Sequence, residues 1–112
     1  MKVLYTKIMS PASNVPKTSN ASKVLKKTTQ IDKLIARNAP AWPLSQIAPV
    51  DLATLRLAIW ELFYDKDKQP YKVIVDEAVE IAKQFGSASS PKFVNGVLGS
   101  IIKSKKLQTI NY

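Results

Sequence analysis

Three runs in this chain place apolar residues three and four apart, and each run opens on a proline: PVDLATLRLAIWELFYD from Pro49, PYKVIVDEAVEIAKQF from Pro70 and PKFVNGVLGSII from Pro91. Proline lacks a backbone N–H and holds φ near its helical value, so the first turn of a helix is where it does least harm. Apolar recurrence at three and four residues marks one face of a helix. No segment alternates at period two, and no internal repeat is visible. The expected fold is therefore all-α, a small helical bundle of three or four helices with short connections.

Each run has its own detail. In the first, Leu55, Ala58, Ile59, Leu62 and Phe63 form the inward stripe, with Arg56 and Glu61 off it. Asp51 falls in the first turn, where the helix dipole favours a negative charge. In the second, Val75, Ala78, Ala82 and Phe85 define the apolar face, widened by Ile74 and Ile81. Gly86 follows as a C-terminal cap, expected in the left-handed conformation. In the third, Ser90 is the expected N-cap and Pro91 the first helical residue. Phe93, Val97 and Ile101 then line up with Val94, Leu98 and Ile102. This period overrides the turn signal of Asn95-Gly96. Gly96 in a helix interior costs about 1 kcal/mol relative to alanine. Close helix packing or backbone approach by a ligand would each account for it, and packing is the expectation.

Upstream, Val24, Ile31, Leu34 and Ile35 share a helical face, with Leu25 beside it. Thr28-Thr29 weakens the middle, leaving one helix or two. Pro40 and Pro43 end this segment with Trp42 between them, and residues 44–49 allow a short helical turn at most. Residues 9–22, rich in Ser, Pro and Asn, read as loop. Residues 1–21 are therefore expected to be a basic, loop-rich segment, residues 22–103 the helical domain, and residues 104–112 a basic tail.

The 112 residues suffice for one small domain, and 46% of them are apolar, enough for a core. Cysteine and histidine are both absent. That excludes disulfides, thiolate sites and cysteine nucleophiles, and it removes the commonest general base and metal ligand. There is no phosphate loop, HExxH or GxSxG motif. Asp76 and Glu80 share a helix face but lack a further ligand at matching spacing. They read as a solvated surface, with Lys83 placed to pair with Glu80. No enzyme, cofactor or metal site is expected. No apolar run reaches membrane-span length, so a cytoplasmic protein is expected.

The net charge of +9 is unevenly spread. Residues 1–30 hold six lysines and no acid, residues 31–100 are neutral, and Lys103, Lys105 and Lys106 close the chain. Basic ends on a neutral domain suit a polyanionic partner or are simply solvated. Most of the aromatic residues, Trp42 among them, read as core. Phe93 stands apart, one turn into a helix, beside Lys92 and after a serine-rich loop, where an aromatic ring can stack a base; as the head of the Val97 and Ile101 stripe it nevertheless reads as core.

Five phrases occur in order: IDKLI (31–35), W-x-L-x-x-I-x-x-VD (42–51), LRLAIWEL (55–62), PYKVIVDEAVEIAKQFG (70–86) and KFVNGVL (92–98). Together they resemble the C-terminal bundle of the NusB transcription antitermination family over residues 22–103. The resemblance implies binding to the single-stranded boxA element of ribosomal RNA transcripts. It implies the ribosomal protein NusE as a partner, and an indirect association with RNA polymerase. It places RNA contacts at Ser87, Ser89, Lys92 and Phe93, and the partner face at Asp51 with Ile47 and Val50 nearby. The ring of Phe93 is expected to pack at one edge and stack at the other. The family's arginine-rich opening segment finds no match: residues 1–21 hold no arginine. Lys23, Lys26 and Lys27, with Lys2, Lys7 and Lys17, are the expected substitute charge. Lysine offers a point charge and not a planar fork, so phosphate attraction would persist while base-specific contacts fade. A chain reduced to half a bundle is expected to cover its apolar surface with a partner or a second copy, as a monomer or weak homodimer. Two other readings fit: an adaptor that binds NusE without strong RNA binding of its own, or the NusB-like domain of a ribosomal RNA methyltransferase.

Overall fold

The structure, a computed structural model, describes residues 20–105. Among them are five α-helices and no strand: α1 (Asn20–Lys26), α2 (Thr28–Asn38), α3 (Pro49–Phe63), α4 (Tyr71–Phe85) and α5 (Ser90–Ser104). A 3-10 turn at Leu44–Gln46 precedes α3. The basic segment expected over residues 1–21 and the tail from residue 106 lie outside the described residues, apart from the start of α1.

The first helical segment is two helices. At the junction the Lys27 N–H bonds the Val24 carbonyl at 3.0 Å, an i→i+3 contact, and the Thr28 hydroxyl donates to the same carbonyl at 3.3 Å. A hydroxyl competing for a backbone acceptor, at a β-branched pair, interrupts the ladder there. The shared face survives the break: Val24, Ile31 and Ile35 are fully buried and Leu34 packs against them.

Helix α3 is central and packs against each of the other four. Its expected inward stripe is too narrow. Ala53, Leu57 and Trp60 are buried as well as Leu55, Ala58, Ile59 and Leu62, while Phe63 is half-buried. A helix apolar on all sides is one with neighbours on all sides. Arg56 leaves the apolar surface through a two-pronged pair with Asp32 of α2, at 2.9 Å and 3.0 Å. The buried Thr54 hydroxyl is satisfied by the Val50 carbonyl at 2.7 Å.

Helix α4 begins at Tyr71, so Pro70 is its N-cap and not its first residue. The face of α4 centres on Ile74, Ala78 and Ala82, which are buried, with Val75, Ile81 and Phe85 half-buried beside them. Gly86 ends the helix in an extended conformation, φ −98° and ψ −169°, and not the left-handed one expected. Glycine is needed there for space. A Cβ on Gly86 would lie 2.5 Å from Ser90 Oγ and 2.8 Å from the Ala82 carbonyl oxygen.

Ser90 is likewise not the N-cap. It is the first residue of α5, wholly buried, and its hydroxyl accepts the Ser87 N–H at 2.9 Å. That bond folds the connector of residues 86–89 back on the helix it introduces. Pro91 comes second, and the expected stripe follows: Val94, Val97, Leu98, Ile101 and Ile102 are buried and Phe93 packs on the core. The packing account of Gly96 does not hold, because a Cβ there, or at Gly99, meets nothing within 4 Å. Helices α2 and α5 are joined by Ser100, whose hydroxyl donates to Asn38 Oδ1 at 2.7 Å, while Asn38 Nδ2 donates to the Leu34 carbonyl at 2.8 Å. Among the described residues Trp42 and Val73 are the large apolar side chains left exposed. The apolar face expected to call for a second copy is not visible there as a patch.

A candidate nucleic-acid interface

The α4–α5 connector and the entry to α3 meet at one cleft of about 370 Å³, within the ~300–1,000 Å³ typical of small-ligand sites. Three chain segments form it. The Pro40–Pro43 loop sets Trp42 on one side, 52% exposed. The 3-10 turn and the first turn of α3 bring Gln46, Ile47, Ala48 and Asp51. The connector and the first turn of α5 bring Ser87, Ser89, Lys92 and Phe93.

The residues expected to meet RNA, Ser87, Ser89, Lys92 and Phe93, therefore share one cavity with two of those expected to face a protein partner, Ile47 and Asp51. Val50 is half-buried and does not line it. Lys23, Lys26 and Lys27 are exposed but stand outside it. Lys27 places its Nζ 5.1 Å from the centre of the Tyr64 ring, a cation–π contact. Tyr64 follows the last turn of α3, about 20 Å along the helix from Asp51 at 1.5 Å per residue.

The serines form a small hydroxyl cluster at the cleft's edge. Ser87 Oγ lies 3.1 Å from Ser89 Oγ and 3.2 Å from Ser90 Oγ. Their position is set by the Ser87 N–H to Ser90 Oγ bond and by the Ser90 N–H to Ser87 carbonyl bond at 3.1 Å. Asp51 is 6% exposed, and its Oδ1 is sealed from solvent without a hydrogen-bond donor. An unpaired buried acceptor of this kind costs about 1–3 kcal/mol.

Sequence reasoning assigned Trp42 to the core, and the structure puts it on the surface beside the cleft. Its position between two prolines, with no apolar partner at helical spacing, is the signal that would have found it. The vacant bonding capacity of Asp51 had no signal in the sequence.

A second electrostatic feature lies at the other end of α3. Burial raises the Glu61 carboxyl to a pKa of about 7, and the negative charges of Glu77 and Asp65 push in the same direction. Glu80 and Lys83 stay exposed and form no ion pair; among the described residues the one ion pair is Arg56 with Asp32. No group of three or more His, Cys, Asp or Glu side chains among the described residues is placed to hold a metal. No described helix is long and apolar enough to cross a membrane.

An all-helical bundle carrying an aromatic, serine-edged cleft between its central helix and its last helix is the class of protein defined so far. The model of the NusB family matches residues 6–103. The chain belongs to the NusB family. The match begins ahead of the phrases quoted above, in a stretch largely outside the described residues. The chain is 52% identical over 75 residues to the transcription antitermination protein NusB of Herpetosiphon aurantiacus, covering 65% of this chain and 51% of that one. It is 46% identical over 81 residues to the NusB of Dehalococcoides mccartyi, covering 72% and 56%. It thus spans about half the length of the curated relatives it matches. The solved structure of T. maritima NusB superimposes with a TM-score of 0.77 at 29% identity, over 96% of this chain and 93% of that one.

Proposed function

We propose that this chain is a non-enzymatic, cytoplasmic RNA-binding antitermination factor. It takes boxA-type single strands of ribosomal RNA transcripts together with NusE, and through NusE it joins the RNA polymerase elongation complex. One observation supports this most directly: Trp42 and Phe93, Lys92, and the Ser87–Ser89 hydroxyls line a single cleft. Exposed aromatic faces stack bases, while a lysine and hydroxyls meet phosphate. The family membership supplies the process.

The adaptor reading draws on a different observation. The lysines of α1 stand outside the cleft, and Lys27 is engaged with Tyr64. On that reading NusE supplies most of the RNA contacts.

A salt titration of boxA-type RNA binding separates the two, first with the chain alone and then with NusE. Tight binding by the chain alone, falling linearly on a log–log plot against salt, supports the RNA-binding reading. Binding only in the presence of NusE favours the adaptor. Absence of binding in both conditions defeats both.

A further inference from the structure

Three serine hydroxyls at the α4–α5 connector form a chain that starts inside the protein and ends at the cleft. Ser90 is wholly buried, while Ser87 and Ser89 are exposed and line the cleft. We infer that Ser90 is a positioning residue for RNA binding: its hydroxyl orders the chain Ser90–Ser87–Ser89 so that the Ser89 O–H is left to donate to a phosphate oxygen beside Lys92. The inference rests on the RNA-binding reading above and deepens it, because it makes the two exposed serines unequal.

The order follows from counting donors and acceptors. A hydroxyl carries one proton and two lone pairs. Ser90 Oγ accepts the Ser87 N–H at 2.9 Å, and the acceptor within reach of its own proton is Ser87 Oγ, at 3.2 Å. A buried O–H without an acceptor is costly, so the Ser90 proton goes to Ser87. Ser87 Oγ in turn lies 3.1 Å from Ser89 Oγ. A hydroxyl that accepts one bond is a stronger donor of the next, which favours the head-to-tail order from Ser90 through Ser87 to Ser89. Ser89 can receive that bond because its hydroxyl caps no backbone N–H of α5. Two of the three protons are spent within the chain, and the third, on Ser89, is left for a ligand.

The ligand is identified by what stands next to that proton. Ser89 has helical dihedrals, φ −90° and ψ −10°, so Lys92, three residues on, lies on the same side of α5. Lys92 is exposed and lines the same cleft. A cation and a polarised hydroxyl side by side suit a phosphodiester oxygen. A purely structural role for Ser90 fits less well. Both bonds of its buried hydroxyl go to Ser87, so what it fixes is the edge of the cleft and not the contact of α4 with α5. Gly86 keeps the arrangement possible, since a Cβ there would lie 2.5 Å from Ser90 Oγ.

The test measures binding of a boxA-type RNA to the full chain alone by fluorescence anisotropy, with a thermal melt of every variant. Ser89→Ala removes the terminal donor and should weaken binding roughly 5- to 20-fold at an unchanged melting temperature. Ser90→Ala releases Ser87 and should weaken binding about 3- to 10-fold. In the double variant the losses should not add: with Ser89 already alanine, removing the Ser90 hydroxyl should cost less than about twofold. A role for Ser90 in stability alone would make the two losses independent. Ser89→Ala should also keep the wild-type slope of affinity against salt, because a neutral donor releases no counterion, whereas Lys92→Gln should flatten that slope by about one. Wild-type affinity in Ser89→Ala, or independent losses in the double variant, would overturn the inference and leave the RNA-binding reading standing. No binding by the wild-type chain would overturn both. Should Ser90→Ala fail to fold, Ser87→Ala breaks the chain at its exposed middle link, and its coupling to Ser89→Ala decides in the same way.

Discussion

Arg56 grips Asp32 with two parallel hydrogen bonds, Nε to Oδ1 at 2.9 Å and Nη2 to Oδ2 at 3.0 Å, and so ties the central helix α3 to α2 across 24 residues of chain. Both side chains are largely shielded from water, at 16% and 20% exposed. A fork of this kind is matched by arginine and not by lysine. Arg56→Lys should therefore destabilise the fold by about 1 kcal/mol, and Arg56→Ala by about 1–3 kcal/mol, because the second change leaves Asp32 unpaired. Urea unfolding of the two variants checks the order. Equal stability of Arg56→Lys and wild type would show that charge alone suffices.

The glycines separate into two kinds. Gly86→Ala drives a methyl group into Ser90 Oγ and the Ala82 carbonyl, so the connector must move at a cost of about 1–3 kcal/mol. Because Ser87 and Ser89 ride on that connector, binding at the cleft should weaken with stability. Gly96→Ala meets open space and should stabilise by roughly 0.5–1 kcal/mol, the usual gain on replacing an exposed helical glycine. Thermal melts of both variants side by side test the contrast.

Trp42 and Phe93 should separate binding from folding. Trp42 is half in solvent, so Trp42→Ala should leave the melting temperature within a few degrees of wild type. Its loss from the cleft should weaken RNA binding by about 1–3 kcal/mol, the range for one base stacked on one ring. Phe93 packs on the core as well as lining the cleft, so Phe93→Ala should lower both. Calorimetric titration with RNA, alongside melts, distinguishes the two patterns. Unchanged affinity in Trp42→Ala would remove that ring from the interface.

Glu61 makes stability depend on pH. Its folded pKa of about 7 stands above the ordinary value of 4.5, so the folded chain holds a proton that the unfolded chain releases first. Below about pH 4.5 both states are protonated and Glu61 adds no pH dependence. Between 4.5 and 7 stability should fall as pH rises, and above 7 the destabilisation is complete. Glu61→Gln should raise the melting temperature at alkaline pH and leave it nearly unchanged at acid pH. Parallel curves for the two proteins across that window would assign the titration elsewhere.

Much of this molecule is readable from spacing alone. The stripes of α4 and α5 are written in their period, and Asn95-Gly96 does not interrupt α5 because Val94, Val97, Leu98 and Ile101 all reach the core. Terminal details were harder. Ser90 looks like a cap in sequence, but its hydroxyl serves the N–H of Ser87 instead. Gly86 was rightly expected to end α4, yet for a reason of space that depends on a residue four positions away. The extra buried face of α3 was hidden because a helix surrounded by neighbours has no polar side to set its phase. The cleft was legible in pieces, with Ser87, Ser89, Lys92 and Phe93 in one phrase and Ile47 and Asp51 in another. Their meeting depends on how α3 and α5 cross, and no local pattern encodes that. Trp42 is different, since its place between Pro40 and Pro43 was a local signal for an exposed loop position.

The central place of α3 has a consequence for how the domain opens. Every other described helix rests on it, so none of its amides can be bared without detaching a neighbour. Hydrogen exchange should be slowest along Leu55–Leu62 and track global unfolding there. The seven-residue α1, held by α2 and α3 alone among the stronger contacts, should exchange through smaller, local openings. Asp51 stands at the near end of that slow-exchanging rod, while Trp42 sits on the loop leading into it. A ligand at the cleft would thus press one side against the least yielding part of the molecule and the other against a part free to adjust.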